Sequence, residues 1–307
     1  MDKIHAVGIQ MATGRQKAQN VEKAIGYLQS LARQQCPIDL VCLPEVFTFA
    51  PLPADSLAVR KKVAEKIPSR FTDQLGKMAR KLRAYLVSGS FMEERGGDYF
   101  NTSLLFDRKG EIVGRYSKTH LFDTPDFKES KFFRPGSSLL THPADFGTLG
   151  ILICYDIRFP ELTRTLCLKG AEVLAVPAAF PIANYSPGED HWQILTRAAA
   201  LHNMVYVLAV NQIGSHGDLK FFGRSVIVDP WGVEIAKAPN AEGIIHAELD
   251  LKYAQEMRNQ RRVWEHRRPE LYGVSSQSTK KKKESPWGIR RSAKKREWTG
   301  SRRTAPG

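Results

Sequence analysis

An α/β fold follows from three features of the sequence. Short apolar runs that read as buried strands alternate twice over with segments of helical period, in a βαβ manner. Hairpins lie between these alternations, each with turn residues separating two strand-like runs. No linker-like stretch divides residues 1–274, so one large domain with a sizeable core is expected, followed by a basic tail over 275–307.

The elements can be justified in order. Ile4 to Gln10 is rich in small apolar residues and reads as the first strand. Asn20 to Arg33 carries Val21, Ala24, Ile25, Leu28 and Leu31 at helical spacing, with Asn20 as a candidate cap. Ile38 to Leu43 is a second apolar run, ending at Pro44-Glu45. Pro51 to Pro53 opens a loop, and Asp55 to Lys66 and Ser69 to Leu82 read as helices with basic outer faces. Tyr85 to Phe91 reads as a third strand. Tyr99 to Phe106 and Ile112 to Tyr116 form a hairpin about Arg108-Lys109-Gly110. Asp123 to Ser138, with Pro125, Pro135 and Gly136, is loop-like.

The central stretch, Gly147 to Gly170, starts with a buried strand over Leu149 to Ile153 and reaches Cys154. A helix then starts at Pro160, with Glu161 at its positive end and Gly170 as its C-cap. Ala171 to Pro177 is a strand, His191 to His202 a helix and Met204 to Asn211 a strand. Phe221 to Pro230 and Glu234 to Ala238 form a hairpin around Trp231-Gly232; Gly243 to Leu249 is the last strand and Lys252 to Asn259 the last helix.

Composition excludes several classes. With 42% hydrophobic and 25% charged residues over 307 positions, the chain is ordinary globular material. No apolar stretch approaches the roughly 18 residues of a membrane span. The N-terminus lacks a signal peptide's charged start and long apolar middle. Four cysteines, without metal spacing or disulfide density, fit a reducing compartment, so a cytoplasmic location is expected. The histidines are scattered, and the glycines make neither a phosphate-binding loop nor a dinucleotide fingerprint. No metal and no cofactor is therefore expected. No G-x-S-x-G elbow occurs either.

Three polar side chains stand out against these strands. Cys154 sits where a strand gives way to a turn and helix, held rigidly beside free backbone N–H groups, as a nucleophile with an oxyanion site requires. The alternative is a small buried hydrophobe, against which the polar run Tyr155, Asp156 and Arg158 speaks. Glu45 directly follows a buried strand; it could equally be a helix-start acid or a loop charge. Lys118 follows the hairpin's second strand, where an ordinary exposed cation is the alternative.

L-P-E at 43–45, K-T-H-L-F-D at 118–123 and I-C-Y-D-I-R-F-P-E-L at 153–162 stand in this order. Further matches are H-W-Q-I-L-x-R-A-x-A-x-x-N at 191–203, G-R-S-V-I-V-D-P-W-G at 223–232 and R-R-P-E-L-Y at 267–272. Together they resemble the nitrilase, or carbon–nitrogen hydrolase, superfamily from Ile4 to about Gly273, nearest to its ω-amidase-like members. The resemblance implies a four-layer αββα sandwich over 1–274 and a Glu–Lys–Cys triad: Glu45 as general base, Lys118 as electrophilic stabiliser and Cys154 as nucleophile. It casts Glu129 as the second glutamate, which orients lysine and substrate, and it implies a homodimer. The implied reaction is hydrolysis of a small carboxylate-bearing amide through a cysteine thioester, with ammonia release. A nitrile, an N-carbamoyl amine or a deaminated peptide on the same fold is the alternative.

Within that chemistry a Lys118 ammonium would favour the thiolate of Cys154 and bind the developing oxyanion. The backbone N–H of Tyr155 would be the second oxyanion donor. Arg158 is a candidate for the substrate carboxylate, its planar fork suiting bidentate pairing; a structural salt bridge to Asp156, Glu161 or another acid is the alternative. Phe180 is a candidate pocket wall, or simple core packing. The tail departs from the family pattern. It holds eleven of the 46 Lys and Arg residues and two of the 32 Asp and Glu, and so nine of the fourteen net positive charges. With few aliphatic residues it is expected to be disordered. It reads either as a solvated extension or as a nuclear-import or nucleic-acid patch, with Trp287 and Trp298 able to stack on bases. The intact Glu45, Lys118 and Cys154 set argues against a nucleic-acid-binding protein that merely borrowed the fold.

Overall fold

The computed structural model describes residues 2–34, 36–51, 55–125, 127–181, 188–216 and 219–272. The chain divides into two units, Met1–His266 and Arg267–Gly307. Of the second, residues 267–272 are described; they form a 3-10 turn, Pro269–Leu271, where the Tyr272 hydroxyl accepts from the Arg268 N–H. The expected disorder of the tail, and the Pro51 to Pro53 loop beyond its first residue, lie outside the described residues.

In chain order the first unit comprises β1 (Lys3–Gln10), α1 (Lys17–Arg33), β2 (Leu40–Cys42), α2 (Leu57–Val63), α3 (Arg70–Leu82), β3 (Tyr85–Val87), β4 (Phe91–Arg95), β5 (Asp98–Phe106) and β6 (Ile112–Ser117). There follow β7 (Leu140–Ala144), β8 (Gly147–Ile151), α4 (Pro160–Leu168), β9 (Val173–Ala178), α5 (Gly188–Asn203), β10 (Tyr206–Asn211), β11 (Ile213–His216) and β12 (Leu219–Phe222). The unit closes with β13 (Val226–Val228), β14 (Glu234–Lys237), β15 (Gly243–Asp250) and α6 (Leu251–Arg261).

Two sheets carry the fold. One runs β15-β1-β2-β3-β5-β4, with β6 paired to β5; the other runs β14-β13-β10-β9-β8-β7. Each is built on three parallel strands, β1, β2 and β3 in the first and β8, β9 and β10 in the second. The period-2 rule explains how they stack. Ile4, Ala6, Leu40, Cys42, Tyr85 and Val87 face the second sheet. The alternate residues Val7, Ile9, Val41, Leu43 and Leu86 face α1 and α3, where they meet Leu28, Leu75 and Met78. On the far side, α4 and α5 set Leu162, Leu166 and Trp192 against the second sheet. The result is the four-layer αββα sandwich.

Several boundaries differ from the sequence expectation, each for a local reason. Asn20 does not cap α1, which begins earlier. Its buried amide accepts from the Gly14 N–H and donates to the carbonyls of Gly14 and Thr48. The helix expected over Asp55 to Lys66 shrinks to α2, capped by the Ser56 side chain. The strand expected over Tyr85 to Phe91 breaks at Gly89, whose φ is +67°. The strand expected over Phe221 to Pro230 breaks at Gly223 and Arg224, both at positive φ. Strand β7 is not among the expected elements; it carries Pro143 on a sheet edge, where the missing N–H costs no ladder bond.

Candidate active site

The parallel strands β2, β8, β9 and β10, together with β6, deliver their C-terminal ends to one place. Glu45 follows β2, Lys118 follows β6, Cys154 follows β8, Ala179 follows β9 and Gln212 follows β10, and all five line one cavity of about 380 Å³. Strand ends suit ligands because the sheet fixes the loops that leave it.

Each side chain has a local reason for its position. The turn at Pro44-Glu45-Val46 is clamped by Ser90, whose N–H donates to the Pro44 carbonyl at 3.2 Å and whose hydroxyl accepts from the Val46 N–H at 2.9 Å. Gly89 is required there, because a Cβ would stand 2.1 Å from the Pro44 oxygen. Lys118 is pinned through its backbone, donating to Asn101 and accepting from Gly136. Glu129 opens a one-turn 3-10 helix, Glu129–Lys131. Cys154 has φ +52° and starts another, Cys154–Arg158, that leads into α4. A left-handed residue with a side chain costs about 1–2 kcal/mol, so the surrounding contacts hold the thiol in a conformation it would not choose alone.

Around the thiol the polar groups form one buried cluster. Lys118 Nζ lies 2.9 Å from Glu45 Oε1 and 2.9 Å from Glu129 Oε2. The Asn101 side-chain amide bridges the same two carboxylates, at 2.9 Å to Glu45 and 3.1 Å to Glu129. The Ala179 N–H donates to the other oxygen of Glu45 at 2.8 Å, and the Phe122 N–H donates to Glu129 at 2.7 Å. Gln212 donates to the Glu45 carbonyl. Cys154 lines the same cavity as Glu45 and Lys118. All four of Glu45, Lys118, Glu129 and Cys154 are buried.

These neighbours decide the charge states. Burial opposes the Lys118 ammonium, but Glu129 and Glu45 outweigh it and hold this amine well above the usual lysine range. Burial, aided by Glu45, raises Glu129 against the pull of Lys118. The Cys154 thiol is pushed well above its usual range by burial first and Glu45 second, with Lys118 pulling the other way. The expectation that Lys118 would favour a thiolate is therefore outweighed: burial and the Glu45 charge together hold Cys154 as a thiol.

The remaining candidates divide. Arg158 is exposed at the cavity and packs near the rings of Phe180 and Tyr155, 5.4 and 6.0 Å from their centroids. Among the described residues it pairs with no carboxylate; Asp156 is taken by Tyr116, Thr119, His120 and the Ile153 N–H. Phe180 both lines the cavity and packs on Trp192, with ring centroids 5.0 Å apart, so wall and core coincide. Tyr155 is half-buried, edge-on to Phe122 and Phe159. Sequence reasoning missed Asn101, Gln212 and Arg60. Asn101 left one signal, the polar run Asn101-Thr102-Ser103 inside an otherwise apolar strand. Arg60 is a third cation of the cavity wall, beside Lys118 and Arg158, lowered to about 10 by burial against the opposing pull of Asp55. Among the described residues no three His, Cys, Asp or Glu side chains cluster so as to hold a metal ion.

A buried thiol, two carboxylates and an ammonium at the strand ends of an αββα sandwich define a carbon–nitrogen hydrolase. The sequence pattern of the family described as carbon-nitrogen hydrolase matches residues 5–259, and the chain belongs to this family, within the nitrilase superfamily, as an amidase. It is 35% identical to the omega-amidase NIT2 of Homo sapiens over 272 residues, 87% of this chain and 95% of that one. It is 36% identical to the deaminated glutathione amidase of Mus musculus, over 86% of this chain and 83% of that one. The structure of Saccharomyces cerevisiae Nit3, a member of branch 10 of the nitrilase superfamily, superposes with a TM-score of 0.76 at 31% identity, covering 84% of this chain and 94% of that one. No helix among the described residues is long and apolar enough to cross a membrane.

Proposed function

We propose that the chain hydrolyses the terminal amide of a small carboxylate-bearing molecule through a thioester on Cys154. The observation that carries this reading is the Glu45–Lys118–Glu129 cluster around a buried thiol at the cavity. Cys154 Sγ attacks the amide carbonyl carbon while Glu45 takes the thiol proton. The oxyanion is stabilised by the Lys118 ammonium and the Tyr155 N–H, the first free amide of the turn that Cys154 opens. Glu45 returns the proton to the leaving nitrogen, and ammonia departs. It then takes a proton from water, which attacks the thioester and frees the carboxylic acid and the thiol. Glu129 keeps Lys118 aimed and charged.

The exposed Arg158 guanidinium, free of any carboxylate among the described residues, supports a substrate that brings its own. Relatives named omega-amidase and deaminated glutathione amidase support amide hydrolysis of this kind. In this reading residues 1–274 form the catalytic domain. It acts as a homodimer, supported by the apolar Ile194, Val233 and Ile235 that α5 and the β13–β14 hairpin expose. Four free cysteines support a cytoplasmic setting.

An ammonia-release screen across ω-amides, nitriles and N-carbamoyl amines, with Cys154→Ala as the blank, tests the reading. The expected result is turnover of carboxylate-bearing amides and an acyl mass on the peptide containing Cys154. Turnover that survives Cys154→Ala, or a turned-over compound that never acylates the sulfur, overturns it.

A further inference from the structure

Lys118 and Cys154 belong to different sheets, yet the mechanism needs the ammonium and sulfur at a fixed separation. The side chain of Asp156 joins the two segments. It is fully buried, and one carboxylate oxygen accepts from the Tyr116 hydroxyl at 2.7 Å and from the Ile153 N–H at 2.9 Å. The other accepts from the His120 N–H at 2.9 Å, from His120 Nδ1 at 2.8 Å and from the Thr119 hydroxyl at 3.1 Å. Tyr116, Thr119 and His120 bracket Lys118 on both sides in sequence; Ile153 precedes Cys154. Because an ionised carboxylate only accepts, the imidazole presents Nδ1–H to it. The ring of His120 then stacks on Phe159, at the start of α4, with centroids 3.7 Å apart.

We propose that Asp156, with His120 as its partly exposed counterpart, is a positioning residue that fixes the Lys118 ammonium relative to the Cys154 sulfur. Asp156 touches neither substrate nor the reacting atoms. It closes the turn that holds Cys154 at positive φ and, through the same carboxylate, ties down the lysine segment. Only an acceptor-only group with two oxygens satisfies five converging donors; an amide would turn its NH2 against at least one of them. This inference rests on the thioester reading, in which Lys118 acts on the oxyanion and so on the transition state.

The test compares Asp156→Asn, His120→Ala and His120→Asn with the unaltered chain. Activity is expressed per Cys154 thiol titrated with a turned-over substrate, so that misfolded protein is not counted. Asp156→Asn is expected to lower kcat per titrated thiol about 100-fold, the scale of a 1 Å misplacement, with KM changed by less than about threefold. His120→Ala is expected to lower kcat about 5- to 10-fold, and His120→Asn, whose amide N–H falls near the Nδ1 position, to recover most of that loss. The His120 pair decides the matter if Asp156→Asn does not fold. The proposal is overturned if kcat per titrated thiol is unchanged in His120→Ala, if the loss lies in KM, or if His120→Asn is no better than His120→Ala. Failure of the thioester reading looks different: the unaltered chain itself would then show no acylated Cys154.

Discussion

Replacing Glu45 with Gln should separate the readiness of the nucleophile from turnover. Glu45 receives Lys118 and Asn101 on one oxygen and the Ala179 N–H on the other, and its charge helps to raise the Cys154 thiol. Glutamine has one oxygen. Keeping it towards Lys118 and Asn101 turns its NH2 against the Ala179 N–H, a buried donor–donor contact worth about 1–3 kcal/mol. Thermal stability should fall accordingly, by roughly 3–10 °C. Turnover should fall further. A lost general acid–base costs about 100- to 10,000-fold, or about 3–5 kcal/mol of barrier, and the proposed mechanism uses Glu45 in both halves. The thiol moves the opposite way. The Glu45 charge pushes the Cys154 thiol up, so its removal leaves Lys118 less opposed, and Cys154 should ionise at lower pH. The assay is alkylation by iodoacetamide against pH, beside ammonia release from an accepted amide. A midpoint shifted to lower pH with turnover abolished is the expected result. A midpoint shifted upward, or kcat above about a tenth of the original, would refute the reasoning.

Arg158→Met should raise KM for carboxylate-bearing amides by about tenfold or more while leaving neutral amides within about threefold, since one charge-assisted bond is worth about 1.5–3 kcal/mol; steady-state kinetics on a matched pair of amides checks it. Stability should fall as pH rises above about 9. Cys42, Cys154 and Cys167 are all pushed up by burial, Cys167 to about 12, so the folded chain keeps thiol protons that the unfolded chain releases. The slope approaches about 1.4 kcal/mol per pH unit for each thiol, and urea unfolding of Cys42→Ala with Cys167→Ala should lose about two thirds of it. Gly89→Ala should cost at least about 2 kcal/mol and most of the activity, because its φ is +67° and its Cβ would press on the Pro44 oxygen beside Glu45; denaturant midpoints with kinetics on the folded fraction would show both.

What the sequence discloses here depends on how local each feature is. Strand parity is local, and residues such as Ile4, Ala6, Val7 and Ile9 divide between the two cores as period 2 requires. The abrupt change from apolar run to Pro44-Glu45, or to Cys154-Tyr155-Asp156, is equally visible. The break at Gly89 is not, since its cause is the Leu43-Pro44 backbone more than forty residues away. Asn101 is hidden for the same reason: a strand asparagine declares itself only when two distant carboxylates are seen on either side. The resting state of Cys154 shows the limit most sharply. Charge alone suggests a thiolate beside Lys118, whereas burial and Glu45, both tertiary facts, decide for the thiol.

That the polar cluster spans two sheets has a consequence for the chain during synthesis. The ribosome delivers Glu45 and Lys118 first, Cys154 later, and Ala179 and Gln212 last. A nascent polypeptide released only through β6 and Lys118 holds the proposed base and the ammonium with no sulfur to serve. Hydrolytic power thus arrives late and all at once, when the second half docks, and a chain stalled midway is chemically inert toward the amides around it.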